Sequence, residues 1–158
     1  MVDASTARPN EAWDPLGSTV GKYEVLREIG AGGMGRVYEG VHREIGKRVA
    51  LKFVDPELLG TDAIERFSRE AQAASSVESA HIVQVFDFGT TDDGHPFLVM
   101  ELLRGEDLGQ RIRRDGRLDL EDALDIAAQI LRGLARAHEA GIVHRDLKPE
   151  NLFITRRE

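Results

Sequence analysis

Within eight consecutive residues, His144 to Asn151, the chain sets an acid (Asp146), a cation (Lys148) and an amide (Asn151) around a proline. These are the groups needed to move a phosphoryl group onto a hydroxyl. Far upstream, Gly30, Gly32 and Gly35 are spaced Gly-x-Gly-x-x-Gly, a pattern that more than one phosphate-binding fold uses. In a dinucleotide fold the third glycine opens a helix and an acidic residue follows about 20 positions on, where Asp55 stands here. The context rules against that reading. Gly35 is followed by a strand pattern with Val37 and Val41, then a hairpin and another strand, with no helix N-terminus to aim at a pyrophosphate. A glycine loop between two antiparallel strands folds over phosphates as a flap instead, its bare N–H groups facing the oxygens.

Val49-Ala50-Leu51-Lys52 adds a third group. Alternation along a strand puts Val49 and Leu51 on one face and Ala50 and Lys52 on the other. Ala50 is small enough for a flat base to lie against that face, with Lys52 within reach of its phosphates. A buried lysine needs a partner. Glu70 flanks the stripe of Ile64, Phe67, Ala71 and Ala74 on the following helix and can face inward, whereas Glu65 and Glu78 are worse placed.

The elements that must position these groups follow from local pattern. Met1 to about Ser18 is rich in Ala, Pro, Asp, Asn and Ser and reads as a mobile leader, with Trp13 a loosely attached side chain. Strands are expected at 23–29, 36–41 and 48–54, linked by turns as an antiparallel meander. Pro56 ends it, and Thr61 or Asp62 caps a helix running to about Val77, with Asp62 and Glu65 at capping-box spacing. Two more strands, 82–88 and 96–101, surround the turn at Asp92, Asp93 and Gly94, and residues 103–105 form a crossing segment. A short polar helix near Asp107 to Arg114 and a long one from about Leu120 to Ala140 follow, the latter apolar on several faces and closed by Gly141. Strands first and helices afterwards make the class α+β.

Composition narrows the field. At 158 residues, with 41% hydrophobic and 31% charged residues, the chain reads as a soluble globular protein. A formal net charge of −7 argues against a nucleic-acid partner, which needs a basic face, but leaves room for a nucleotide held by a few local donors. With no cysteine there is no disulfide frame, thiolate nucleophile or Cys-type zinc site. No secretory signal and no membrane segment are readable in the chain.

The glycine loop with Val37, the Val-Ala-Leu-Lys strand, a glutamate on the next helix and the run His144–Asn151 occur in the order of the protein kinase family, which this chain closely resembles from about Tyr23 to Ile154. Lys148, two places after Asp146, resembles the serine/threonine branch. Gly-Gly-Met-Gly and Arg69-Glu70-Ala71-Gln72 resemble its bacterial members. The resemblance implies a kinase-like α+β fold: a five-stranded antiparallel small lobe with one main helix (21–103), then the first helices and catalytic loop of a mainly helical large lobe (104–158), after a flexible leader (1–20). It implies ATP with magnesium as cofactors and a protein Ser/Thr hydroxyl as acceptor. Carried over residue by residue, Asp146 orients the substrate hydroxyl or takes its proton, Lys148 neutralises the transferring phosphoryl and Asn151 coordinates magnesium. Gly30, Ala31, Gly32, Gly33, Met34 and Gly35 cover the phosphates, Lys52 pairs with them and with Glu70, and Met100 stands behind the adenine. Glu101 and Leu103 bond the adenine edge through their backbone, with Val37, Ala50 and Leu26 or Leu103 as apolar walls. His144 braces the loop.

The family's Asp-Phe-Gly, whose aspartate is the principal magnesium ligand, is not among the residues up to Glu158. The expectation is a truncated kinase domain with little or no transfer by itself. The competing class is a non-catalytic nucleotide- or partner-binding module, but such a module has no need of an intact Lys52, Glu70, Asp146 and Asn151. A cytoplasmic location is expected, and the resemblance leaves room for a membrane anchor further along.

Overall fold

A computed structural model of the chain describes residues 13–32, 35–56 and 63–155. Its elements are β1 (Thr19–Val20), β2 (Tyr23–Gly32), β3 (Gly35–His42), β4 (Arg48–Val54), α1 (Ala63–Ser75), β5 (Val85–Thr90), β6 (Pro96–Glu101), β7 (Gly105–Asp107), α2 (Leu108–Asp115), α3 (Leu120–Glu139) and β8 (Phe153–Thr155), with one 3-10 turn at Pro149–Asn151. β1 to β6 form a single antiparallel sheet in the order β1-β2-β3-β4-β6-β5. The expected five strands are all there. The sixth, β1, is made by the end of the leader, which folds back so that Val20 pairs with Tyr23 around Gly21 at φ +57.

Register separates the two faces of the sheet. Tyr38 stands opposite Leu51, and Leu51 opposite Val99. Paired residues share a face, and these three are wholly buried with Val25, Val49 and Phe53 beside them. Each such side chain contributes about 1.5–3 kcal/mol on burial. On the other face Val37 stands opposite Lys52, Lys52 opposite Leu98 and Ala50 opposite Met100. Helix α1 packs on β5 and β6, with Ala71 of its expected stripe buried. The side chains of Ile64, Phe67 and Glu70, and the capping residues Thr61 and Asp62, lie outside the described residues.

Three expectations change. Trp13, read as loosely attached, is packed against the buried face of the sheet. The strand expected from Ile82 begins at Val85, because Ile82 and Val83 turn toward α3 and line a cavity with Ile126, Ile130 and Leu134. The segment 103–105 is not merely a crossing: Gly105–Asp107 pairs with Phe153–Thr155 as a two-stranded ribbon. The helix ends follow the capping residues. Asp107 accepts from the Gln110 N–H (2.7 Å) and Asp119 from the Asp122 N–H (2.9 Å). Gly116 and Gly141 follow α2 and α3 in the left-handed region at φ +79 and +76. Leu120, Leu124 and Leu131 of α3 remain exposed. Among the described residues no helix is long and apolar enough to cross a membrane.

Candidate active site

The expected site residues fall into two groups, one carried by the sheet and one by the loop before β8. On the sheet, Gly30 pairs with Val37, Ala31 with Arg36 and Gly32 with Gly35, so the glycine loop is the tip of the β2–β3 hairpin. Gly33 and Met34, at its apex, lie outside the described residues. Gly35 has φ +148, and a Cβ there would fall on the carbonyl oxygen of Phe53. Only glycine lets the loop return this close to β4. Val37, Ala50, Lys52, Leu98 and Met100 lie on the face below this loop, which gives a small apolar floor ending in an ammonium. The expected partner of Lys52, the carboxylate of Glu70, lies outside the described residues. Glu101 donates its N–H to the Gln84 carbonyl (3.0 Å), so only its carbonyl can serve a base edge. Leu103 is half-buried just beyond it.

Sequence reading missed two features of this face. β2 carries bulges between Val25 and Arg27 and between Glu28 and Gly30. The first holds Leu26, half-buried; the second holds Ile29, 39% exposed and directly before Gly30. Ile29 thus stands nearer the loop in the chain than the expected Leu26. The second feature is Glu39, opposite Ala50 and only 6% exposed. Its carboxylate sits between Arg27 (2.6 Å) and Arg48 (2.5 Å), as a buried charge must. The signal was present, since Glu39 and Arg48 are each two residues from a floor position.

The loop group is held by short-range bonds. The Asp146 N–H donates to the His144 carbonyl (2.8 Å) and to His144 Nδ1 (3.3 Å). That tight turn puts Arg145 at φ +60, the only non-glycine residue in the left-handed region among the described residues, at a cost of about 1–2 kcal/mol. Lys148, extended ahead of Pro149 at φ −153 and ψ 161, brings its Nζ to 3.0 Å from Asp146 Oδ2. Asn151 donates through Nδ2 to the Asp146 carbonyl (2.8 Å) and to Oδ2 (3.1 Å). The Lys148 contact, and after it the Asn151 bond, holds the Asp146 carboxyl below the usual carboxylate range despite some desolvation. Both contacts use Oδ2, which leaves Oδ1 for another donor.

The ribbon and α2 anchor this loop. Leu108 donates its N–H to the Leu152 carbonyl (2.7 Å), and Arg113 reaches Glu150 (3.6 Å) and Asp107 (3.9 Å). A side chain at Gly105, φ +151, would strike the Ile154 carbonyl. A cavity of about 700 Å³ is lined by α3, residues 77–83 and residues 151–155, and also by Glu101, Leu103 and His144 of the expected site. Val37, Ala50 and Lys52 do not line it. For a divalent cation, Asn151 can turn its amide oxygen away from Asp146. Among the described residues no cluster of three or more His, Cys, Asp or Glu side chains could hold a metal ion. Asn151 and Asp146 alone do not make the octahedral oxygen site magnesium demands.

A two-layer small lobe, a glycine hairpin over a floor ending in lysine, and an Asp-x-Lys-x-x-Asn loop define a class of phosphoryl-transfer proteins. Residues 23–158 match the family model described as the protein kinase domain. Over 148 residues the chain is 40% identical to the probable serine/threonine-protein kinase pknA2 of Bifidobacterium longum, covering 91% of this chain and 19% of that protein. It is 43% identical over 140 residues to the serine/threonine-protein kinase PknA of Mycobacterium tuberculosis, covering 85% of this chain and 32% of that one. The crystal structure of the Mycobacterium tuberculosis PknI kinase domain matches with a TM-score of 0.80 at 32% identity, over 88% of this chain and 58% of that one. The chain belongs to the protein kinase family, in its bacterial serine/threonine branch.

Proposed function

We propose that these residues carry the nucleotide-binding half and the catalytic loop of an ATP-dependent serine/threonine protein kinase, which transfers the γ-phosphoryl of ATP to a protein hydroxyl. The observation that carries this reading is the loading of Asp146: Lys148 and Asn151 both engage Oδ2, so Oδ1 is available to a Ser or Thr hydroxyl. A carboxylate kept ionised in this way orients the hydroxyl and takes up its proton as the new P–O bond forms. Lys148 is near enough to follow negative charge from the carboxylate to the group in transfer. On the sheet, Val37, Ala50 and Met100 suit a flat base, and Lys52 with the glycine-loop N–H groups suits phosphates. The family points to magnesium arriving with ATP, and Asn151 offers it one oxygen. A dependence on ATP supports a cytoplasmic site.

Calorimetry on this chain tests the binding half: ATP should bind, and Lys52→Met should weaken it at least tenfold. Transfer from γ-labelled ATP to a Ser/Thr protein tests the chemistry in the longer natural protein. Transfer undiminished by Asp146→Asn would overturn the assignment.

A further inference from the structure

The chain's sole tryptophan, Trp13, is seated on the outer face of the sheet, away from the proposed nucleotide. Its ring stacks on His95 with centroids 3.8 Å apart and 12° between planes, and meets Phe53 edge-on at 5.0 Å. The indole Nε1 donates to Asp93 Oδ2, which fixes the orientation of the half-buried ring. One residue on, Asp14 accepts from the hydroxyl of the buried Tyr38 (3.2 Å). Ser18 closes back on the Pro15 carbonyl, and both Gly17 and Ser18 bond Val25 through the backbone. Residues 13–18 thus form a strap tied down at several separate points.

The strands it grips are β3, which leaves the glycine loop, and β4, which carries Lys52. Phe53 follows Lys52 in β4, and its carbonyl oxygen occupies the place a Cβ of Gly35 would need. Tyr38 follows Val37 in β3, three residues after Gly35, and its hydroxyl is the one Asp14 accepts from. Side chains alternate across a strand. The strap therefore bears on the back of the backbone whose front carries Val37 and Lys52.

We propose that Trp13 is a positioning residue for the nucleotide: the docked strap holds β3 and β4 at Tyr38 and Phe53, and so sets Gly35 and Lys52 against the phosphates. This rests on the assignment of ATP to that face. Linkage makes the effect reciprocal, so ATP tightens strap docking by the factor that the strap tightens ATP.

The test uses the whole 158-residue chain, ATP as the probe, calorimetry for affinity, circular dichroism for fold and Trp13 emission as the strap signal, with no second indole to confuse it. ATP is expected to change the emission of the wild-type chain and not of Lys52→Met. Trp13→Leu should weaken ATP binding about fivefold or more in a folded chain. Trp13→Phe, which keeps a ring against Phe53 and His95, should recover most of the loss, and Asp93→Ala, which removes the indole's acceptor, should show a smaller loss of the same sign. If Trp13→Leu does not fold, Asp93→Ala decides, and unchanged affinity there overturns the proposal. Wild-type affinity in folded Trp13→Leu, with Lys52→Met still defective, reduces the strap to a structural cover and leaves the ATP site standing. No ATP binding by the wild-type chain overturns strap and site together.

Discussion

The two groups of site residues are built in opposite ways. The sheet group borrows its precision from a buried layer: Tyr38, Leu51 and Val99 are wholly excluded from water on one face, and their strand neighbours Val37, Lys52 and Leu98 are thereby aimed at the other. The loop group has no such backing. Asp146 and Lys148 are each 47% exposed, and their geometry rests on local hydrogen bonds, one left-handed residue and a proline. A core that sets the site from behind couples nucleotide binding to global stability. A loop set by local bonds leaves its chemistry open to change with little cost to the fold.

Substitutions can break that contrast. Asp146→Asn should lower the transfer rate by about 10²–10⁴, and it should move the unfolding free energy by no more than about 0.5 kcal/mol, as for exposed positions generally. A matching loss of stability would show that the loop is part of the core. Leu51→Ala should do the reverse, costing about 2–5 kcal/mol in denaturant unfolding followed by Trp13 emission. If ATP affinity in the folded fraction of that variant stays at the wild-type level, the core does not set the nucleotide face.

Smaller effects sharpen the comparison. Glu39→Gln leaves Arg27 and Arg48 without their shared carboxylate and should cost about 1–3 kcal/mol, read from the shift of the urea midpoint. A neutral result would make the triad ornamental. Least of all, the Asp146 carboxyl titrates below the usual range in the folded chain. Its contacts with Lys148 and Asn151 therefore add stability above the ordinary carboxylate range, and that contribution disappears as pH falls through the depressed folded value. Carboxyl NMR should find the Asp146 titration moved back up in Lys148→Ala. An unmoved curve would remove Lys148 as the principal cause.

What could be read in advance follows the same divide between local and distant causes. The loop was legible because all its parts lie in one run, down to the extended Lys148 that Pro149 demands. The floor was legible because Val49 to Lys52 alternate on a strand whose pairing the structure confirms. The end of the long helix was legible from Gly141 and the short helix from the polar stretch after Asp107, while the Asp119 cap was not read. The β7–β8 ribbon was not, since neither three-residue strand has a pattern of its own and each depends on a partner far along the chain. Trp13 was not, because its seat is made by Phe53, Asp93 and His95 together. The bulges that hold Leu26 and Ile29 escaped because alternation does not reveal them.

The most direct measurement is the structure of this chain with a non-hydrolysable ATP analogue bound. The account predicts the base against Ala50, Val37 and Met100, the phosphates beneath the glycine hairpin within hydrogen-bond distance of Lys52 Nζ, and the terminal phosphoryl facing Asp146 Oδ1. An analogue seated instead in the cavity between α3 and residues 77–83, with Lys52 untouched, would contradict it.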